Sequence, residues 1–338
     1  MTVSVVLCVL NGELFIEEQL RSIAQQTRLP DEVLIFDDRS TDATLDIVRS
    51  IGAETGLNCS IHINKKRLGV EENFAYGMSQ ASGDVIFFCD CDDVWVPQKV
   101  EKMVAPFEAD PDVTLVYSDG YITGPTLEKT GYTLFTWKPD KKRLQDGDAR
   151  PIGEFLRKGQ APGIKASAMA FSARVRDLAG PLPHGIAHDN WVSFFGYALG
   201  RVVAINEPLH YYRRHDQAWG SSSTNTLFEE LKTPEDQSSQ LRRNKVHLTQ
   251  CLFDRMCALD REMSGKMTFP PRFYELKLAT QEASQTLRAR ENIRKTPGGA
   301  QRVLKGIVSL IRGDYIAMKD VKQKFKALAK DIRLSSFK

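Results

Sequence analysis

The sequence of 338 residues contains no apolar run near the roughly 20 residues that cross a bilayer. Its opening run, in MTVSVVLCVLNGE, is about seven residues long and lacks the basic flank and cleavage site of a signal peptide. Cysteine is sparse: Cys8, Cys59, Cys89, Cys91, Cys251 and Cys257 are scattered, with no Cys-x-x-Cys pair. That spacing gives neither a disulfide framework nor a zinc ribbon. Cys8, Cys89 and Cys91 stand in apolar runs, where a free thiol packs as a small hydrophobe. The expectation is a cytoplasmic protein with reduced thiols. A glycine-rich phosphate loop is also missing after the first apolar run, where the turn reads Asn11-Gly12-Glu13. Its absence weighs against nucleotidyl transfer. The basic residues have no interleaved aromatics and no binding motif, so no nucleic-acid partner is expected.

Charge of one sign does not dominate, with 46 Lys and Arg against 43 Asp and Glu, but it is unevenly placed. Residues 288–338 hold 14 basic against 4 acidic side chains, a net of +10, which leaves 1–287 at −7. A basic tail on an acidic body calls for its own explanation.

The first hundred residues alternate between two periods. Val3–Leu10, Glu32–Phe36, Cys59–Ile63 and Val85–Cys91 are apolar and β-branched runs that predict strands covered on both faces. Between them Glu17–Gln25, Thr41–Gly52 and Val70–Ser79 carry helical apolar spacing. This alternation predicts an α/β fold with a mostly parallel, Rossmann-like sheet, whose ligands bind beyond the carboxyl ends of the strands. The polar motifs at 11–12, 37–42 and 90–93 all fall at such ends. Further on, Leu115–Tyr121, Ala166–Phe171 and Arg201–Ile205 suit strands and Asp189–Leu199 a helix. Lys138–Arg150, Gln217–Asn225 and Thr233–Ser239 read as loops, and the pattern turns helical after Gln240. The division expected is 1–225, with halves 1–100 and 101–225, followed by a helical, basic region over 240–338.

Asp90, Asp92 and Asp93 stand within four residues. Carboxylates so close repel one another unless a cation neutralises them, and oxygen ligands suit Mg²⁺ or Mn²⁺. Such an ion can bridge two phosphates and act as a Lewis acid on a departing diphosphate. The plainer alternative is a solvated turn whose aspartates cap a helix. Asp37-Asp38-Arg39-Ser40-Thr41-Asp42 is open in the same way: a helix cap, or a carboxylate accepting from a pyrimidine N–H.

Two stretches break the tie. VSVVLCVLNGELFIEEQLRSIAQQTRLPDEVLIFDDRSTDAT and GVEENFAYGMSQASGDVIFFCDCDDVWVPQKVEKM resemble the inverting family 2 glycosyltransferases of GT-A fold. The resemblance is dense over 2–125, sparser to about 220, and rests on Asn11, Asp37-Asp38-x-Ser-x-Asp, Gly69 with Asn73, Gly83-Asp84 and Asp-x-Asp-Asp-x-Trp. The CDCDDVW run and Asn73-Phe74 look most like the rhamnosyltransferase branch of bacterial surface-polysaccharide synthesis. The resemblance implies a nucleotide-sugar donor (dTDP, UDP or GDP type), Mn²⁺ or Mg²⁺, and a glycan or lipid-linked acceptor. It places the base at Asp38, the nucleotide pocket at Val9 and Asn11, the ribose side at Asp90, and the metal at Asp92 or Asp93. Cys8-Val9-Leu10-Asn11 departs from the family's usual Pro-Thr/Ala-Tyr-Asn, which leaves base recognition open.

In the second half the resemblance assigns the general base to Asp189 in His188-Asp189-Asn190-Trp191, with His188 and Trp191 beside the acceptor. One-step inversion needs a carboxylate opposite the leaving group to deprotonate the attacking hydroxyl. An N-cap is the alternative for Asp189. Tyr211-Tyr212-Arg213-Arg214-His215 resembles the family's Tyr-Arg-x-His segment. Arg213 or Arg214 would clamp the diphosphate, a geometry that suits a guanidinium, and His215 would meet the metal or the diphosphate. The Ser-rich stretch after it suits a lid. Gly163 matches the acceptor floor. A catalytically silent glycan-binding protein is a further alternative, against which the intact acidic cluster and Asp189 weigh. The tail's apolar faces (Val303, Leu304, Ile307, Val308, Ile311; Val321, Phe325, Leu328, Ile332) oppose Lys and Arg. They fit docking on the body or peripheral contact with anionic lipid at the inner membrane face.

Overall fold

Seven consecutive residues, Val3–Val9 (β1), are buried on both faces of the sheet. Val3, Val5, Leu7 and Val9 pack with Leu20 and Ile23 of α1 (Ile16–Ala24) and with Val48 and Ile51 of α2 (Thr44–Thr55). Val6 points the other way, toward α3 (Val70–Gln80), where a methyl group on Gly77 would stand 2.4 Å from its Cγ1. Alternation along one strand thus puts helices on both faces. β2 (Glu32–Asp37) and β4 (Val85–Asp90) flank β1 in parallel, and β3 (Cys59–Ile63) runs parallel to β2.

The computed structural model describes residues 1–137, 164–216 and 235–296, with 301, 305, 306, 308 and 309. The stretches Lys138–Arg150 and Gln217–Asn225, Gly163 and nearly all of the basic tail lie outside the described residues. Two compact units are present, one within Met1–Ala149 and Gly163–Lys232, the other including everything from Thr233 onward.

Beyond β4 the sheet becomes mixed. Two-residue β5 (Val94–Trp95) follows the acidic turn and is succeeded by α4 (Lys99–Ala109). The strand β6 (Val113–Thr123) then carries β7 (Lys129–Thr133) on its far half. A 3₁₀ turn (Ala166–Ala168) leads into β8 (Met169–Ser172), which is antiparallel to both β4 and β6. After α5 (Ala173–Ala179) and α6 (His188–Leu199), β9 (Arg201–Arg213) lies parallel to β6 and antiparallel to β5. The order across the described sheet is β3-β2-β1-β4-β8-β6-β9-β5. The sheet is parallel across β3-β2-β1-β4 and mixed beyond, with helices packed on it.

Most elements start or end within three residues of the predicted bounds, and three differences bear on the site or on the second unit. β9 runs on to Arg213 instead of stopping at Ile205, because pairing with β6 and β5 carries it past Pro208 through register shifts. Ala166–Ala168 is a 3₁₀ turn, so the strand there starts at Met169. The helix α7 (Glu235–Glu262) already covers the end of the Thr233–Ser239 stretch read as loop.

In the second unit α7 buries Leu252, Met256 and Leu259, and α8 (Pro271–Lys295) buries Phe273, Leu276, Ala279 and Ala283. Both sets have helical spacing, and the two helices pack together. Lys277 and Asp260 form an ion pair across them, and Ser284 donates to Gln250 at 2.8 Å. No helix among the described residues is long and apolar enough to cross a membrane.

Candidate active site

The first wall of the site is the junction of the β1 and β2 ends. Asn11 sits in the left-handed region (φ 51°), which Asn tolerates better than most residues. Its N–H donates to Ser40 Oγ at 2.9 Å, and its Oδ1 accepts from the Thr41 N–H at 2.9 Å. Gly12 is required by proximity: a methyl group there would lie 2.8 Å from Val9 Cγ2 and 3.3 Å from Cys91 Sγ. Asp37 holds the turn, accepting from the N–H groups of Arg39 and Ser40 at 3.1 Å each. Asp38 is buried, at 4% exposure. It accepts from Asn64 Nδ2 (2.9 Å) and from the N–H groups of Leu68 (2.7 Å) and Gly69 (2.9 Å). Asn64 also donates to Asn73, which donates to the Phe36 carbonyl. Asp38 therefore ties the loop before α3 to the end of β2.

The second wall is the acidic turn. Asp90 ends β4, and burial first, then the charge of Asp92, lifts its carboxyl to about 7. Asp93, only 1% exposed, is pushed well above the carboxylate range by burial and by Asp92 and Asp90. Its Oδ1 accepts the Arg213 backbone N–H at 3.0 Å. Below lies Lys99, 0% exposed, donating to the Ser167 carbonyl at 2.8 Å and standing 5.1 Å from the Trp95 ring centre. Burial lowers its ammonium to about 8 against the opposing pull of Asp93, Cys89 and Asp90.

The segment following β9 closes over this turn. His215 Nε2 lies 2.9 Å from Asp92 Oδ2, and its ring packs on Phe15 with centroids 4.4 Å apart. Arg213, one of the two arginines read as a diphosphate clamp, is turned into the protein. It is 4% exposed, and Nε donates to the Asp92 carbonyl (2.7 Å), Nη1 to the Pro125 carbonyl (2.5 Å) and Nη2 to Glu18. Arg214 is part-exposed; its N–H donates to the Thr123 carbonyl and its guanidinium lies over Trp137 at 5.0 Å.

Among the described residues no three carboxylate, imidazole or thiolate groups converge as a ready metal cage. The residues nonetheless fit a divalent ion. Asp92 and His215 face one another, and beside them stand two buried carboxylates, Asp90 and Asp93, that form no ion pair among the described residues. Mg²⁺ in particular is held by one or two protein ligands, with substrate phosphates and water filling the rest.

The third wall carries Asp189. Helix α6 starts at His188 with Ala187 as its N-cap, so Asp189 is inside the first turn and is not the cap. Its Oδ1 accepts the Asn190 N–H at 2.7 Å. Burial raises its carboxyl, Lys165 draws it back, and its own charge helps to raise Asp90. Asp189, Lys165 and Asp90 therefore share one electrostatic environment. Trp191 is 1% exposed and stands edge-on to Phe195 at 4.9 Å, packed in the core. His188 is likewise turned inward, stacked on Phe74 at 4.2 Å, with burial holding it neutral by lowering its pKa to about 3.

Residues 4–168 match the glycosyl transferase family 2 profile. The chain belongs to that family. A glycosyltransferase of Nostoc sp., itself uncharacterized, is 27% identical over 64% of this chain and 65% of its own length. The dTDP-rhamnosyl transferase RfbG of Shigella flexneri is 34% identical over 28% of this chain and 34% of its own. The chain spans 59–65% of the length of several curated relatives it matches. In structure it is similar to TarS residues 1–349 of S. aureus, crystallised with UDP-GlcNAc, at a TM-score of 0.55 and 17% identity, covering 100% of this chain and 93% of that one. That likeness establishes the fold.

For a glycosyltransferase the arrangement supplies a polar wall at 11–41, a cluster of carboxylates with a facing imidazole, and a separate carboxylate with a cation beside it. Lys99, Lys165 and Glu18 escaped the sequence reading. Lys165 follows Gly163 by two positions and carries no pattern of its own, whereas Lys99 in Trp-x-Pro-x-Lys lies four residues after Trp95 of the acidic motif.

Proposed function

We propose that this glycosyltransferase moves a sugar, with inversion, from a nucleoside-diphosphate donor to a hydroxyl of a glycan or lipid-linked glycan. The observation that carries the proposal is the shared environment of Asp90 at the carboxyl end of β4, Lys165 just before the 3₁₀ turn, and Asp189 in the first turn of α6. It supplies a carboxylate, Asp189, for the acceptor.

In this reading Val9, Asn11 and the loop tied down by Asp38 shape the nucleotide pocket, and Asp90 faces the ribose. Arg214 is the guanidinium for the diphosphate, since Arg213 is committed to protein acceptors. Mg²⁺ or Mn²⁺, when bound by Asp92 and His215, neutralises charge on the diphosphate. Asp93, spent on the Arg213 N–H and fully buried, supports the turn. Asp189 takes the proton of the acceptor hydroxyl as its oxygen bonds to the anomeric carbon, and the bond from that carbon to the diphosphate oxygen breaks on the opposite face. Lys165, opposing the cost of burial, keeps Asp189 in its basic form.

The similarity to RfbG favours dTDP-rhamnose as donor, and the resemblance of the CDCDDVW run to the rhamnosyltransferase branch favours surface-polysaccharide synthesis as the setting. The basic tail favours a place against anionic lipid, where a lipid-linked acceptor is found.

The test is a thermal-shift screen of UDP, GDP and dTDP with and without Mn²⁺, followed by nucleotide-sugar turnover with the stabilising base. Asp189→Asn is expected to retain the nucleotide-induced shift and lose transfer by about 10³-fold, within the range for a lost general base. Failure of all three nucleotides to raise the melting temperature, or transfer unchanged in Asp189→Asn, defeats the reading.

A further inference from the structure

Asp92 follows β4 and His215 follows β9, two strands that are not neighbours in the sheet. β4 and β9 are separated in the sheet by β8 and β6. The link between them is the two-residue β5, which pairs antiparallel with β9 as Val94 to Tyr211 and Trp95 to His210. Carried two residues back, the same register sets Asp92 opposite Arg213. There the main-chain ladder ends and side chains continue it: Asp93 Oδ1 takes the Arg213 N–H at 3.0 Å, and Arg213 Nε returns to the Asp92 carbonyl at 2.7 Å.

The rest of the guanidinium fastens two further segments. Nη1 bonds the Pro125 carbonyl in the turn between β6 and β7, and Nη2 bonds Glu18 on α1. Phe15, immediately before α1, packs against the guanidinium at 4.7 Å and against His215 at 4.4 Å. One side chain, 4% exposed, therefore joins the acidic turn, the β6–β7 turn and the start of α1, two residues from His215.

We infer that Arg213 is a positioning residue which sets Asp92 and His215 in register for the cation and makes no contact with the diphosphate. The inference rests on the metal reading proposed above. A planar fork with three separate acceptors restrains direction as well as distance, and a lysine cannot reproduce it. A phosphate clamp would instead need the guanidinium in the cleft, which its burial and bonding deny.

The experiment reads Mn²⁺ uptake from the free-Mn²⁺ EPR signal, with UDP, GDP or dTDP present, whichever stabilises the unaltered protein. It also reads nucleotide affinity in EDTA. For Arg213→Met we expect Mn²⁺ affinity to fall about tenfold while nucleotide affinity in EDTA stays within about twofold. Arg213→Lys should resemble Arg213→Met, because it keeps the charge and loses the fork. Glu18→Gln, which alters the exposed end of the brace without threatening the fold, should lower Mn²⁺ affinity about twofold to threefold. Arg214→Met should do the reverse of Arg213→Met, weakening nucleotide binding in EDTA. Unchanged Mn²⁺ affinity in both Arg213→Lys and Glu18→Gln overturns the inference, as does a loss of EDTA nucleotide affinity in Arg213→Lys equal to that in Arg214→Met. If the unaltered protein takes up no Mn²⁺ with any of the three nucleotides, the metal reading fails and this inference falls with it.

Discussion

Asp90 shows how a side chain suited to catalysis burdens the fold. Burial and the neighbouring Asp92 raise its carboxyl from 3.8 to about 7. A carboxyl whose folded pKa lies above its unfolded value supports the fold below the unfolded value and loses that support as pH rises through the folded one. Asp93 and Asp189 are shifted in the same direction. Without a divalent ion, stability should therefore fall between about pH 4 and pH 8, and Asp90→Asn should recover on the order of 2 kcal/mol at pH 8 but little at pH 4. Urea unfolding in EDTA at both pH values measures this; equal gains at both would contradict it. Lys165 bears on Asp189 with the opposite sign, opposing the rise caused by burial. Lys165→Met should move the acid limb of the kcat–pH profile to higher pH, by about one unit for a neighbouring charge. A limb that stays in place would remove Lys165 from this role.

At the scale of elements, packing distance decides which glycines matter. Gly77 lets α3 approach the sheet, and a methyl group there would stand 2.4 Å from Val6 Cγ1 and 2.9 Å from Phe36 Cδ2. Gly77→Ala should cost about 1–3 kcal/mol in urea unfolding, as overpacking of a dense core does. Through α3 it should also disturb Asn73, whose bonds to Phe36 and Asn64 hold the loop carrying Gly69. The same elements show what sequence could reveal. β1, β2 and β4 were legible because strands buried on both faces must be apolar along their whole length. β5 was not, being two residues long, and β9 was cut short because its second half is polar and contains Pro208. Asp92, His215 and Asp189 were marked by motifs. Arg213 was marked as well, but its direction is fixed by the pairing of β5 with β9, a long-range register that no local pattern carries. The burial of Trp191 was not legible for a related reason: its position within a motif says nothing of which side of α6 is buried.

Across the whole molecule the excess of positive charge lies in residues 288–338, at net +10, while 1–287 stands at −7. The second unit's two described helices bury Leu252, Met256, Phe273 and Leu276. Attraction of a basic segment to an anionic bilayer contributes about 1 kcal/mol for each lysine near the surface. Replacing Lys322, Lys324, Lys326 and Lys330 by Gln should then weaken binding to phosphatidylserine-containing vesicles about a hundredfold or more. The unaltered protein should also leave those vesicles at about 0.5 M NaCl, where screening shortens charge attraction to a few ångströms. Vesicle flotation checks both outcomes, with phosphatidylcholine vesicles as the neutral comparison. Equal binding to the neutral vesicles, or binding indifferent to the four substitutions, would assign these lysines to the protein's own surface and leave the acceptor to reach the transferase by another route.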